Sequence, residues 1–307
     1  MRDDVIHGLP FAAGWRICKE LEVRMPTQCS ERANGSEDPI IFRILGPVEA
    51  YREGTTLRLC GEKQITALAA LLIEHGRVVS DNTLICLLWG DKPPRTADAQ
   101  LYNYVSRLRK QFSGAADFRR IGSGYSMVFN NASLDYDQFC PLSQTGISKL
   151  KSGDYEAAAD NLRDALRLWR GLPLSNVTVF FSDLYQASLE QYRMSVLENR
   201  IEADLALGRH AEILGELHAL SARYPLCELF QDQLMRALCR CGRKGDAIRT
   251  YHDVRHLLAE ELGVDPDARL QHTFEAAISG EERLMPPGGL FEHGRPLIVS
   301  RYAKGTT

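Results

Sequence analysis

At 307 residues, 44% hydrophobic and 25% charged, the chain has ordinary globular composition and enough length for about two separately cored domains. Its longest apolar run, Ala67 to Ile73, falls far short of the roughly 20 residues that span a bilayer. Met1-Arg2-Asp3-Asp4 leads into no stretch of signal-peptide character, so a membrane segment and export are excluded and a cytoplasmic protein is expected.

The net charge of −3 is unevenly distributed. Lys92, Arg95, Arg107, Arg109, Lys110, Arg119 and Arg120 face only Asp98 and Asp117 between residues 92 and 120, seven cations against two anions. Residues 140–280 carry 16 Lys and Arg against 20 Asp and Glu, so a basic patch sits in the front half and the rear is mildly acidic. Eight cysteines, Cys18, Cys29, Cys60, Cys86, Cys140, Cys227, Cys239 and Cys241, include no C-x-x-C pair. The expectation is reduced thiols, no metal site and no cofactor.

In chain order, residues 1–38 end in a polar, turn-prone run through Ser30 to Pro39 and are read as a flexible N-terminal extension. Ile40 to Leu45, Val48 to Tyr51 and Thr56 to Leu59, separated by Gly46-Pro47 and Glu53-Gly54, predict a small three-stranded antiparallel sheet. Ile65, Leu68, Ala69, Leu72 and Ile73 then recur at helical spacing and stop at Gly76. Ser80 is placed to cap a second helix carrying Leu84, Leu87 and Leu88 and ending at Trp89-Gly90. Thr96 or a neighbour opens a third, with the apolar stripe Leu101, Val105, Leu108 and Phe112. Gly122-Ser123-Gly124 between Phe118–Ile121 and Tyr125–Phe129 predicts a hairpin.

From Leu134 the strand signals vanish and amphipathic helices follow, with breaks at Gly153, Gly171, Gly208, Pro225, Gly242, Gly263 and Gly280. Positions five, nine and twelve after Gly153 are Ala158, Leu162 and Ala165; after Gly208, Ile213, Leu217 and Leu220; after Gly242, Ala247, Tyr251 and Val254. Gly208 and Gly242 lie 34 residues apart, the tetratricopeptide period. The division expected is therefore 1–38 extension, 39–132 an α+β winged helix-turn-helix, 133–280 an all-α tetratricopeptide-like repeat domain, and 281–307 a C-terminal tail.

At 100° per residue, Asn103, Ser106, Arg107 and Lys110 project opposite the third helix's apolar stripe. Arg offers a bidentate fork to guanine and Asn to adenine, and Lys and Ser reach phosphates, so the set can both specify and position on DNA. Alone, such a face would be an ordinary solvated surface. A capped helix before it and a glycine hairpin bearing Arg119 and Arg120 after it turn the reading to a helix-turn-helix with a wing. Arg109 lies to the side, suited to a phosphate.

The chain resembles the small type of the Streptomyces antibiotic regulatory protein family, with an OmpR-type winged helix followed by a bacterial transcriptional activation domain. Leu88-Trp89-Gly90, Pro93-Pro94-Arg95-Thr96-Ala97, Tyr104 to Arg109 and Gly122-Ser123-Gly124-Tyr125 carry the resemblance in front. Ala165 to Gly171, Gly242-Arg243 and Glu261 to Pro266 carry it behind.

The resemblance implies a transcriptional activator of an antibiotic biosynthetic gene cluster that binds direct repeats of double-stranded DNA beside the −35 element. Binding would be as a homodimer or tandem pair, with recruitment of RNA polymerase holoenzyme, in the cytoplasm at the nucleoid. On matching positions Asn103, Ser106, Arg107 and Lys110 would enter the major groove, and Arg95, Thr96, Arg109, Arg119, Arg120 and Ser123 would hold the DNA backbone. Trp89, Asp91 and Lys92 would lie in a loop that touches the sigma factor, with a core role for Trp89 equally open. No H-E-x-x-H, G-x-S-x-G or phosphate loop occurs, so no catalytic residues and no enzyme are expected. The alternative is a helical-repeat protein-interaction adaptor whose winged helix does not bind DNA.

Overall fold

The computed structural model describes residues 38–280. The N-terminal extension and the C-terminal tail expected from the sequence lie outside the described residues, apart from Asp38. Two compact units emerge, and they interleave along the chain. The front unit comprises residues up to Gln138 together with Leu168–Tyr192; the rear unit comprises Phe139–Arg167 and the chain from Arg193. A purely sequential boundary near residue 132 misses this, because Leu168–Tyr192 belongs by its packing to the front unit.

Two sheets frame the front unit. In the first, β1 (Ile40–Arg43) pairs antiparallel with β2 (Glu49–Arg52), which pairs antiparallel with β3 (Thr55–Leu57). The expected three strands are present. A fourth, β7 (Ala132–Leu134), adds in parallel on the other side of β1 to give the order β3-β2-β1-β7. Three residues cannot display a period, which is why β7 and the equally short β4 (Val78–Ser80) escape a pattern search. β4 joins the hairpin of β5 (Ala116–Ile121) and β6 (Gly124–Phe129) in a sheet ordered β4-β6-β5. The expected hairpin forms, but Ile121 pairs with Gly124, so the tip is Gly122 and Ser123 alone and Gly124 belongs to β6 rather than to the turn.

The front unit also holds α1 (Glu62–Ile73), α2 (Asp81–Trp89) and α3 (Ala97–Gln111), which pack on one another and on the β4-β6-β5 sheet. α1 is buried at nine successive positions, Gln64 to Leu72, and so forms the centre of the unit. Ser80 caps α2, its Oγ accepting from the Thr83 amide at 3.1 Å. The stripe of α3 is buried as its spacing requires: Leu101 and Val105 are 1% exposed, Leu108 and Phe112 0%. Phe112 meets Phe42 edge-on at 5.0 Å, locking α3 to β1 through an aromatic contact.

The segment after Arg167 is stitched to the front unit by polar groups. The Arg170 amide donates to Leu45 O at 2.8 Å and the Leu174 amide to Gly46 O at 2.7 Å. Asn176 bonds both the amide and the carbonyl of Val48, at 2.7 and 3.1 Å. The Thr178 hydroxyl donates to Leu87 O at 2.6 Å, and its amide donates to the Thr66 hydroxyl at 2.9 Å. Buried Asp135 accepts from the Ile44 amide at 2.9 Å, from the Leu45 amide at 3.1 Å and from Arg170 at 3.0 Å. Gly90, which ends α2, has φ +61 and ψ −137, a backbone only glycine adopts readily. A Cβ there would lie 2.5 Å from the Phe180 ring, so this position has no room for a side chain either.

The rear unit is built from the rest of α4 (Asp135–Lys151), α5 (Tyr155–Arg167), the second half of α6 (Val179–Ala206), α7 (His210–Arg223), α8 (Glu228–Arg240), α9 (Lys244–Glu261) and α10 (Ala268–Ser279). All seven break residues fall between helices or at a helix end, and of the nine repeat positions, eight are at most 6% exposed, with Leu220 partly buried. Gly153 and Gly208 lie 55 residues apart, 21 more than one repeat. The excess is accounted for by the segment that folds with the front unit.

Close helix approach is written into α4: a Cβ at Gly146 would sit 2.5 Å from Leu162 Cγ, on a side chain that is fully buried. Gly146→Ala should gain about 1 kcal/mol of helix propensity and lose about 1–3 kcal/mol to overpacking, for a net loss near 1 kcal/mol in thermal denaturation. Gly146→Val is expected to lose more.

Glu198 on α6 gives the rear unit a pH-dependent term. Burial pushes its carboxyl up to about 7, against the opposing pull of Arg269. Because the folded state then holds the proton more tightly than the unfolded chain, this stabilisation is complete below about pH 4.5 and is lost as pH rises through about 7. Glu198→Gln should therefore raise Tm near pH 8 and leave it almost unchanged near pH 4.5, measured by calorimetry. Equal shifts at both pH values would contradict the assignment.

Candidate nucleic-acid interface

The face of α3 opposite its buried stripe is presented to solvent. Asn103, Arg107 and Lys110 are exposed and make no ion pair or side-chain hydrogen bond among the described residues, and Ser106 is half-buried beside them. Long cationic side chains left unpaired in a region with few carboxylates are available to an anion. Tyr102, which sequence reasoning passed over, is 60% exposed on the same helix. Its ring lies on the Arg109 flank of the helix, among the residues lining the recess with Arg120 and Tyr125, rather than on the outer face.

The wing lies beside α3. Arg119 and Arg120 are on β5, and Ser123 is exposed at the tip. Arg119 pairs with Asp117 at 3.1 Å, both side chains about half exposed, an arrangement weak enough to exchange for another anion. The Arg119 bond holds the Asp117 carboxyl below the usual range.

Arg120 and Arg109 are differently placed. The Arg120 guanidinium donates to both oxygens of Asp81, at 2.6 Å each, and lies 4.6 Å from the centre of the Tyr125 ring. Asp81 raises the Arg120 pKa above its ordinary value. Arg109 Nε donates to Phe118 O at 3.0 Å. Both are thus committed within the unit, and a phosphate contact would have to displace or share those bonds.

Before α3, Arg95 and Thr96 are exposed. Thr96 takes the N-cap position, but its Oγ1 accepts from Gln100 Nε2 at 2.9 Å rather than from a backbone amide. In the loop between α2 and α3, Asp91 and Lys92 are exposed. Trp89 is not. It is 9% exposed, with the Tyr104 ring centre 6.4 Å away and Lys63 Nζ 5.0 Å over its own ring. Of the two roles left open for it, the core role fits, because a ring enclosed by Lys63 and Tyr104 presents little surface to a partner. Asp81 and Asp135 were not legible as site or scaffold residues: single carboxylates carry no periodicity, and their partners are 39 and up to 91 residues away.

No group of His, Cys, Asp and Glu among the described residues is arranged to hold a metal. No described helix is long and apolar enough to cross a membrane.

Comparison with known proteins agrees with this geometry. Residues 134–277 match the family Bacterial transcriptional activator domain, and residues 55–126 match Transcriptional regulatory protein, C terminal. Regulatory protein DnrI of Streptomyces peucetius is 34% identical over 251 residues, 78% of this chain and 92% of that one. Regulatory protein AfsR of Streptomyces griseus is 36% identical over 265 residues, 86% of this chain but 27% of the relative, so the chain spans about a quarter of AfsR. EmbR of Mycobacterium tuberculosis, solved in complex with a low affinity phosphopeptide, superposes with a TM-score of 0.76 at 29% identity over 82% of this chain and 68% of that chain. The matched domains are those of transcriptional regulators, and the relatives are named as regulatory proteins. With both domains in order and a relative matched over nearly its whole length, the chain belongs to the Streptomyces antibiotic regulatory protein family.

Proposed function

We propose that the chain is a sequence-specific DNA-binding transcriptional activator, with α3 as its reading helix. The observation that carries this is the set Asn103, Arg107 and Lys110, exposed and unpaired among the described residues on the outer face of a helix whose inner face is fully buried. Such a helix, backed by its core and flanked by a wing, meets the geometric needs of major-groove readout. Asn103, Ser106, Arg107 and Lys110 are assigned to base edges, and Arg95, Thr96, Arg119 and Ser123 to the backbone.

By family, the DNA is expected to be a direct repeat near the −35 element of an antibiotic biosynthetic promoter, bound by a homodimer or tandem pair at the nucleoid. RNA polymerase holoenzyme is recruited there. Exposed Asp91 and Lys92 are the loop residues offered to the sigma factor. Run-off transcription from promoters of neighbouring genes, with holoenzyme and purified full chain, tests this. Stimulation that depends on the upstream repeat supports it. An unstimulated template, together with retained capture of protein partners, would favour the adaptor instead.

A further inference from the structure

We propose that Asp81, Arg120 and Arg109 are positioning residues that fix the wing against α2 and α3, and that Arg109 and Arg120 are not phosphate ligands. The inference rests on the DNA-binding reading above, and it divides the basic patch by task.

The N-terminus of α2, the flank of α3 and the wing strands enclose a recess of about 360 Å³ lined by Asp81, Asp98, Tyr102, Arg109, Arg120 and Tyr125. Two arginines face two aspartates there, so the recess has no net charge to draw in a phosphate. Four hydrogen bonds brace it. The Asp81 amide donates to Ser123 O at 2.8 Å, which ties the hairpin tip to the first residue of α2. The Asp81 carboxylate grips Arg120 in a fork, and Arg120 lies over Tyr125 on the neighbouring strand. Arg109, from the far end of α3, reaches the Phe118 carbonyl on β5.

A planar fork matched to a carboxylate fixes orientation as well as distance, which a point charge does not. The set therefore determines where Ser123 and Arg119 stand relative to the groove-facing side chains of α3. Among the described residues, the cations of this segment without an intramolecular partner are Lys92, Arg95, Arg107 and Lys110, all outside the recess.

The test measures binding of the full chain to a promoter fragment and to a mixed-sequence duplex across a salt series. The variants are Arg120→Lys, Arg120→Gln and Asp81→Asn. Removing a phosphate ligand lowers the slope of log K against log salt by about one unit, whereas removing a positioning bond leaves the slope in place. The expected result is that all three variants lose about fivefold of promoter-over-random preference with unchanged slope. Arg120→Lys should fail like Arg120→Gln, since lysine keeps the charge and loses the fork. The double variant Asp81→Asn with Arg120→Gln should be no worse than either single one.

The proposal is overturned if Arg120→Gln lowers the slope by about one unit while Arg120→Lys binds as the parent does. It is also overturned if Asp81→Asn tightens binding, the signature of an arginine released to a phosphate. An unaltered chain that binds neither duplex would remove the DNA reading itself, and this inference with it.

Discussion

Asp135→Ala should destabilise the front unit by about 3–5 kcal/mol, because it leaves two inward-facing amides without their acceptor and takes from half-buried Arg170 one of its two carboxylates. Asp135 is 4% exposed and accepts from the Ile44 and Leu45 amides and from Arg170, which also pairs with Glu49 at 2.5 Å. Burial outweighs those donors and pushes its carboxyl above the ordinary range. Every partner of Asp135 is a donor, so Asp135→Asn, which keeps one acceptor oxygen and turns its NH2 toward an N–H, should also lose stability, though less than Asp135→Ala. Denaturant unfolding followed by tryptophan fluorescence checks this, since Trp89 and Trp169 are both buried in the front unit. A loss under about 1 kcal/mol for Asp135→Ala would show that the stitching of Leu168–Thr178 to the β1–β2 turn is not what holds the unit together.

Arg107→Ala is expected to weaken specific DNA binding by about 1–3 kcal/mol, some fivefold to 150-fold, and to relax discrimination at one base position. The size follows from a bidentate contact in a groove that excludes water. Lys110→Ala, assigned like Arg107 to a base edge, is expected to relax discrimination at a second base position. Affinity measurements on single-base variants of the protected sequence separate the two outcomes. Neither substitution should shift the unfolding transition appreciably, because both side chains are exposed and unpaired.

The parts of this molecule legible in its sequence are those that repeat a period. Leu101, Val105, Leu108 and Phe112 at helical spacing gave both the buried side of α3 and, by elimination, the face offered to DNA. Ser80 as a cap, the Gly122-Ser123 tip and the glycine-punctuated repeats are local chemistry and were equally readable. The interleaving of the units was not. It depends on Asn176, Thr178, Asp135 and Arg170, each meeting a partner 35 to 128 residues away in the chain. A solitary polar residue looks the same in sequence whether it is solvated or buried against a distant turn.

Charge counting had the same limit. Seven cations against two anions between residues 92 and 120 marked a basic patch. Two of them, Arg109 and Arg120, stay exposed but are held by the Phe118 carbonyl and Asp81, whereas Lys92, Arg95, Arg107 and Lys110 have no partner among the described residues. Local charge identified the correct segment and overstated how many of its charges are free.

The central claim, that α3 reads DNA, is met most directly by footprinting the purified full chain on promoters of its neighbouring genes beside the Arg107→Ala variant. The account predicts protected direct repeats spaced by about one helical turn, 10–11 base pairs, protected only at much higher concentrations of the variant. Identical protection by the two proteins, or none by either, would contradict it.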